Sequence, residues 1–499
     1  MISAFVNSLK IPELRQRILF TLAMIVVVRT GYAITMPGVN PHILQEWVKS
    51  KALNDASPGA SVAALLNVFS GGGLEKCAIF ALGIMPYISA SIMLQLLTAV
   101  VPSLSKLARE DGGRQKINQW TRYATVFLCL FQGYLLVRSL KNPGQNIFLH
   151  GLDAIIKDHG PLVPGYGIGF VITSVLTITA GSLFIMWLGE QITERGIGNG
   201  ISLLICTNIV ADLPGCLVRV YKAYIGRQGA GAMDAMIVLL LVAMLIAVIA
   251  AIISLTQAQR RIAIQYAKRV VGRKVFGGQT QYMPLKVNYA GVMPIIFAQA
   301  IVLFPSQIVS FLFPDQSSIR HFVESLAQGW AYLIISTLLI FFFSYFWVAT
   351  MFQPNQIAED LRKSGGYIPG VRPGKPTSDF LDFTMSRLTF AGALFLTGIY
   401  LLPLLLQRQL MLDSRVSQFF GGTSILILVG VVLDVMRQVE THLLQRHYDG
   451  FLRKGKIRGR FDRPNAGGVT ADPRTLVWMW TAIAIVAIIG ISYALFLRS

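Results

Sequence analysis

The chain is 499 residues long, 54% hydrophobic and only 14% charged, with a mean hydropathy of +0.58. A soluble fold cannot cover that much apolar surface, so the bilayer is the solvent for most of it, and the spans must be helices because lipid leaves backbone polar groups no outside partner. The formal charge of +20 adds the expectation of an anionic lipid, acidic protein or nucleic-acid partner.

In chain order the apolar runs predict helices over 18–36, 76–98, 119–138, 167–188, 200–217, 234–255, 290–311, 329–350, 387–406, 421–437 and 475–497, eleven in all. The first follows Lys10, Arg15 and Arg17 without an Ala-x-Ala exit and reads as a retained span. With the N-terminus in the cytoplasm, the inner segments hold 29 of the 44 lysines and arginines and the outer ones 13. That bias supports the N-inside orientation.

Between the first two spans lies Ser61-Val-Ala-Ala-Leu65-Leu66-Asn-Val-Phe69-Ser70, followed by Gly71, Gly72 and Gly73. An apolar run of about ten residues makes roughly 15 Å of helix, half a bilayer, so it cannot span. Two readings fit: an interfacial helix, or a movable stopper buried inside a pore. In the next run Ile84, Ile88 and Ile92 recur every four residues and share one helix face; Ile201, Ile205 and Ile209 repeat the spacing in the fifth. Such stripes suit lipid or core contact as well as function.

No Gly-x-x-x-x-Gly-Lys-Ser/Thr loop is present, since Pro376 follows Lys375 where a hydroxyl residue is needed, and Gly196-Ile-Gly-Asn-Gly200 lacks dinucleotide spacing. Cys77, Cys129, Cys206 and Cys216 form no Cys-x-x-Cys pair, and no His-Glu-x-x-His occurs, so neither a metal, a cofactor nor enzymatic catalysis is expected. Deep charges are few: Arg29 in the first span, Asp212 toward an outer end and Asp434 toward an inner end. That argues against a secondary transporter, which normally carries mid-membrane carboxylates. A non-channel insertase would need an embedded positive charge, for which Arg29 is the sole candidate.

Two long basic segments project between spans. Residues 257–286 carry seven basic residues and no acidic one, among them Arg260, Arg261, Lys268, Arg269, Arg273 and Lys274. The second, 355–377, contains Arg372 and Lys375 in a Gly/Pro-rich stretch. Such cationic loops suit a docked RNA-bearing partner; a solvated loop that attracts only anionic lipid is the alternative.

Long stretches then carry a family likeness. Phe80–Ile92, Gly113–Tyr123, Trp187–Ser202, Leu285–Pro294 and Ser364–Gly374 closely resemble, in order, signature stretches of the SecY family, the pore subunits of bacterial protein-conducting channels. The likeness runs from about residue 10 to about residue 460.

The resemblance implies an all-α polytopic membrane protein made of two inverted five-helix halves around a central hourglass pore, here 1–217 and 218–460. It implies a channel that passes unfolded polypeptides and releases hydrophobic segments sideways between the second helix and the seventh and eighth. Matching positions place Ile84, Ile88, Ile205, Ile296 and Ile427 at the pore constriction and make 61–73 the plug. The basic loops would dock the ribosome or the motor SecA, with Arg372 matching the family's loop arginine. SecE and SecG are the implied small membrane subunits, and signal peptides and nascent chains the implied ligands, in the bacterial inner membrane. Gln95 and Thr98, at the inner end of the second helix, are candidates for polar contacts that hold the lateral gate shut.

The likeness says nothing about the end of the chain. There a polar linker, 461–474, precedes an additional apolar run within 475–499. Nine basic residues in 437–474 against Arg498 beyond the run predict that the C-terminus lies outside.

Overall fold

The computed structural model describes residues 12–44, 46–47, 70–110, 112–141, 156, 160–225, 232–266, 269–271, 274–276, 280–299, 301–302, 329–410, 416–417 and 422–453. Its helices are α1 (Pro12–Ala33), α2 (Met85–Val100), α3 (Pro102–Arg109), α4 (Gly113–Ser139), α5 (Ile168–Arg195), α6 (Gly200–Val220), α7 (Ala232–Gln257), α8 (Gly329–Met351), α9 (Pro354–Lys363), α10 (Lys375–Leu410) and α11 (Thr423–Arg453). Residues 293–299 and 301–302 are also helical. Among the described residues six helices are long and apolar enough to cross a membrane, or seven if α2 and the start of α3, bent by 107°, form one broken span. The expected helix over 475–497 lies outside the described residues.

The expected second span begins nine residues late, at Met85 rather than 76. Residues 71–84 form turns instead. Their backbone bonds go to the exit of α1: Met36 N–H donates to Cys77 C=O at 2.9 Å, Ile79 N–H to Ile34 C=O at 2.9 Å, and Thr35 bridges Ala78. Gly71, Gly72 and Gly83 all take positive φ, which a helix cannot use. Pro86 then marks the first helical turn, where a missing N–H costs nothing. Phe80 anchors the stretch edge-on against Tyr32 of α1, with ring centroids 5.7 Å apart.

The glycine-rich corner between α5 and α6 is a packing device. Asn199 Oδ1 accepts from Ile201 and Ser202 N–H, capping α6. Thr193 Oγ1 accepts from Gly200 N–H at 2.8 Å. A Cβ on Gly200 would lie 1.9 Å from Gly189 O, so only glycine permits this approach of the two helices. Gly198 N–H donates to Gln438 Oε1 at 2.8 Å, which ties the corner to α11.

Departures from an all-helical chain lie in the basic loops. β1 (Gln259–Tyr266) pairs antiparallel with β4 (Thr280–Lys286), and β2 (Arg269–Val271) pairs with β3 (Lys274–Phe276). β5 (Gly366–Tyr367), from the second basic loop, adds to the free edge of β1, giving the order β4-β1-β5. Alternation explains the strand: Ile262 and Ile264 of β1 are buried while Arg261 stays exposed. Ile262 and Leu285 share an apolar cluster with Val348 and Phe352 of α8 and its exit, Ile368 past β5, and Leu381 and Met385 of α10. At 36 residues α10 runs to about 54 Å, longer than the hydrocarbon core, and its N-terminal part joins this extramembrane unit.

Candidate functional site

One apolar cluster collects isoleucines from four separate elements. Ile84 caps α2 and Ile88 lies one turn into it; Ile205 comes from α6, Ile296 from helical residues 293–299, and Ile427 from α11. Ile84, Ile205 and Ile427 are buried, at 2%, 5% and 4% exposure, whereas Ile88 and Ile296 are half-buried. The surrounding wall includes Val28 and Tyr32 of α1 and Ile185, Leu188 and Ile192 of α5. Ile201 and Ile209 join the same cluster, but Ile92 turns to a second one. There α2 residues Ile88, Ile92 and Leu96 meet Ile295, Phe297 and Ala298, together with Ile340 and Phe343 of α8.

Residues 70–73 lie beside the isoleucine cluster. Ser70 is buried, and a Cβ on Gly71 would lie 2.5 Å from Asn208 Oδ1. Asn208, 1% exposed and one turn beyond Ile205, donates from Nδ2 to Tyr32 Oη at 3.3 Å. Arg29 stacks over the same tyrosine at 5.7 Å. Asn208 and Tyr32 escaped the sequence reading. The available signal was an amide within the apolar run Ile201–Val210, since polar groups inside spans mark functional positions. Ser61, Leu65, Leu66 and Phe69 lie outside the described residues.

Gln95 and Thr98 do not reach across to another helix through the bonds they make. Gln95 Nε2 donates to Ser91 Oγ at 2.9 Å and Thr98 Oγ1 to Leu94 C=O at 2.6 Å, both within α2. In a low-dielectric setting a hydroxyl or amide takes the nearest backbone or side-chain acceptor one turn back. Beyond α2, Arg122 of α4 forms a two-pronged bond with Glu190 of α5, at 3.0 and 2.8 Å, a pairing with strong directional preference.

The two basic loops form one platform. Arg260 and Arg261 are exposed at the start of β1, and Arg372 and Lys375 are exposed where the second loop enters α10. The Arg372 carbonyl accepts from Thr377 Oγ1 at 2.8 Å, which fixes the turn that carries it. Arg269 and Lys274 fall on β2 and β3. Lys268 and Arg273 lie outside the described residues.

This combination of membrane-spanning helices, a shared aliphatic centre and a cationic extramembrane platform is the architecture of polytopic helical channels. A family model for SecY matches residues 78–436. The protein translocase subunit SecY of Thermotoga maritima is 42% identical over 462 residues, covering 92% of this chain and 100% of that one. Its counterpart in Aquifex aeolicus is 42% identical over 450 residues, covering 89% and 98%. The fold is shared with a solved protein-conducting channel, at a TM-score of 0.56 and 16% identity over 91% of this chain and 99% of that one. It is also shared with Sec61 from the canine ribosome–channel complex, at a TM-score of 0.54 and 15% identity over the same shares, 91% and 99%. The chain belongs to the SecY family.

Proposed function

We propose that this chain is the pore of a protein-conducting channel, passing unfolded polypeptides across the membrane and releasing apolar segments sideways into lipid. The observation that carries the reading is the convergence of Ile84, Ile88, Ile205, Ile296 and Ile427 from four distant elements on one apolar centre. A ring of aliphatic side chains meets two opposed demands. It offers a passing chain no specific hydrogen bond to stall on, and in its absence it resists wetting and holds back ions. Residues 61–73 form the plug, whose last turn rests on Asn208.

Sideways release follows from partitioning. A segment of about 20 apolar residues gains free energy by moving into lipid, and a polar one does not. The apolar contact between α2 and the pair formed by residues 295–298 and α8 is the seam that opens, since it holds no cross-seam bond from Gln95 or Thr98. Signal peptides favour the open form by binding it better than the closed one.

The halves 1–217 and 218–460 flank the pore, and the β4-β1-β5 platform docks SecA or the ribosome on the cytoplasmic side, with anionic lipid nearby. SecE and SecG are the small membrane partners. The direct test is reconstitution with SecE, SecG and SecA in vesicles carrying anionic lipid. An added secretory precursor becomes protease-protected in an ATP-dependent way, and a mature polypeptide lacking its signal does not. Equal protection of both would sink the channel reading.

The N-terminus is cytoplasmic in this scheme, the linker 461–474 stays inside, and the run within 475–499 crosses outward at the channel's periphery. A cysteine placed after Arg498 then reacts with an impermeant thiol reagent in spheroplasts. Labelling only after lysis would reverse the last step of the topology.

A further inference from the structure

The sheet has a second face that the docking reading leaves unused. In an antiparallel pair, residues directly opposite one another project to the same side. Ile262 points into the apolar cluster and Ile264, two residues on, is buried on the same side, so their neighbours Arg261, Ala263 and Gln265 point the other way. Tyr282 lies opposite Ala263, and Tyr367 lies opposite Gln265 on the far edge. Both tyrosines are exposed, at 59% and 40%, outside the spans, where no lipid tail accounts for their rings.

Their setting is specific. Tyr367 Oη bonds Gln265 Oε1 at 3.0 Å, which holds that ring in a defined place on the sheet. Ala263 contributes only a methyl between the two strands that carry the rings, leaving the floor of the face open. Arg261 and Lys286 lie on the same face, and residues 257–286 contain no acidic side chain. Two exposed rings on the two outer strands of a cationic sheet, one to either side of β1, match what single-stranded nucleic acid needs: cations for phosphates and flat apolar faces for bases. An acidic peptide would meet the cations too, but it carries no flat ring at every repeat of its backbone to lay on both tyrosines.

We infer that Tyr282 and Tyr367 are a base-stacking platform, so that an RNA-bearing partner docks through unpaired nucleotides stacked on this sheet as well as through its phosphates. The inference rests on the docking reading above and adds the chemical form of the partner's contact. Stacking is worth on the order of tenfold in affinity per base and is insensitive to salt, whereas phosphate contacts are lost as salt rises.

The test uses the full-length protein in mild detergent and two single-stranded RNA octamers, one with all bases and one abasic at its central positions. Both carry the same charge. The wild type should bind the intact octamer about tenfold more tightly or better. Tyr282→Leu with Tyr367→Leu should erase that preference and leave the log–log salt slope unchanged. Tyr282→Phe with Tyr367→Phe should retain it, because the ring and not the hydroxyl stacks. Arg261→Gln should flatten the slope without removing the preference. Equal wild-type affinity for both octamers, with a steep slope, would overturn stacking and leave phosphate docking standing. A flat slope with weak binding to both would overturn docking itself. Loss of binding to phosphatidylglycerol vesicles, with RNA binding intact, in the leucine variant would reassign the rings to lipid headgroups.

Discussion

Replacing Ile88 and Ile205 together by asparagine should make the resting channel conduct ions. The two side chains come from α2 and α6 and share the cluster that also holds Ile296 and Ile427. Ile205 is 5% exposed, so an amide there brings donors and acceptors into a mostly apolar shell whose nearby polar side chains, Tyr32 and Asn208, already bond each other. Water then becomes their partner, and a wetted constriction loses its barrier. A lone charge in a dry span costs about 2.5–3.5 kcal/mol on insertion scales, so wetting raises leak on the order of a hundredfold. Ion flux from vesicles or single-channel current in a planar bilayer reads this directly. Ile88→Val with Ile205→Val is the control, since it keeps the shell apolar and should stay tight. A sealed asparagine variant, and again with 61–70 deleted, would count against this position of the constriction.

Charge reversal at Arg372 should abolish most translocation while leaving the membrane body intact. Its side chain is exposed on the turn before α10, and the turn itself is held by the backbone carbonyl, which accepts from Thr377 Oγ1 at 2.8 Å. Arg372→Glu therefore removes no internal contact of that turn. At a separation of ~4 Å in water it exchanges about 1 kcal/mol of attraction to an anionic partner for similar repulsion. That difference corresponds to a fall in docking on the order of tenfold or more. Protease protection of a precursor in vesicles measures the loss, and an unchanged thermal midpoint in detergent shows that packing is preserved. Normal export by the variant would remove Arg372 from the docking surface.

The spans were legible because length and hydropathy are local properties. The expected start at 329 for α8 agrees with Gly329, and 200 for α6 with Gly200. The start of α2 was not legible, because Lys76–Gly83 is apolar enough for a helix, while its bonds to the exit of α1 and the positive φ of Gly83 hold it in turns. The basic segments read as loops, since β pairing depends on a distant partner. Tyr367 finds Gln265 across 102 residues, a contact no window of sequence contains.

By itself the sequence determined the solvent and the repeat. The composition demands lipid, the bias of lysines and arginines predicts which side faces inward, and Ile84-x-x-x-Ile88 places two side chains on one helix face. Only tertiary structure decided what those faces meet. In lipid an apolar stripe is equally content against acyl chains or another helix, so periodicity alone cannot separate surface from centre. Small residues settle it by permitting close approach, as Gly200 does against Gly189. Tertiary packing also brings Ile84 and Ile427, 343 residues apart, into one cluster and sets Asn208 against Gly71 beside it.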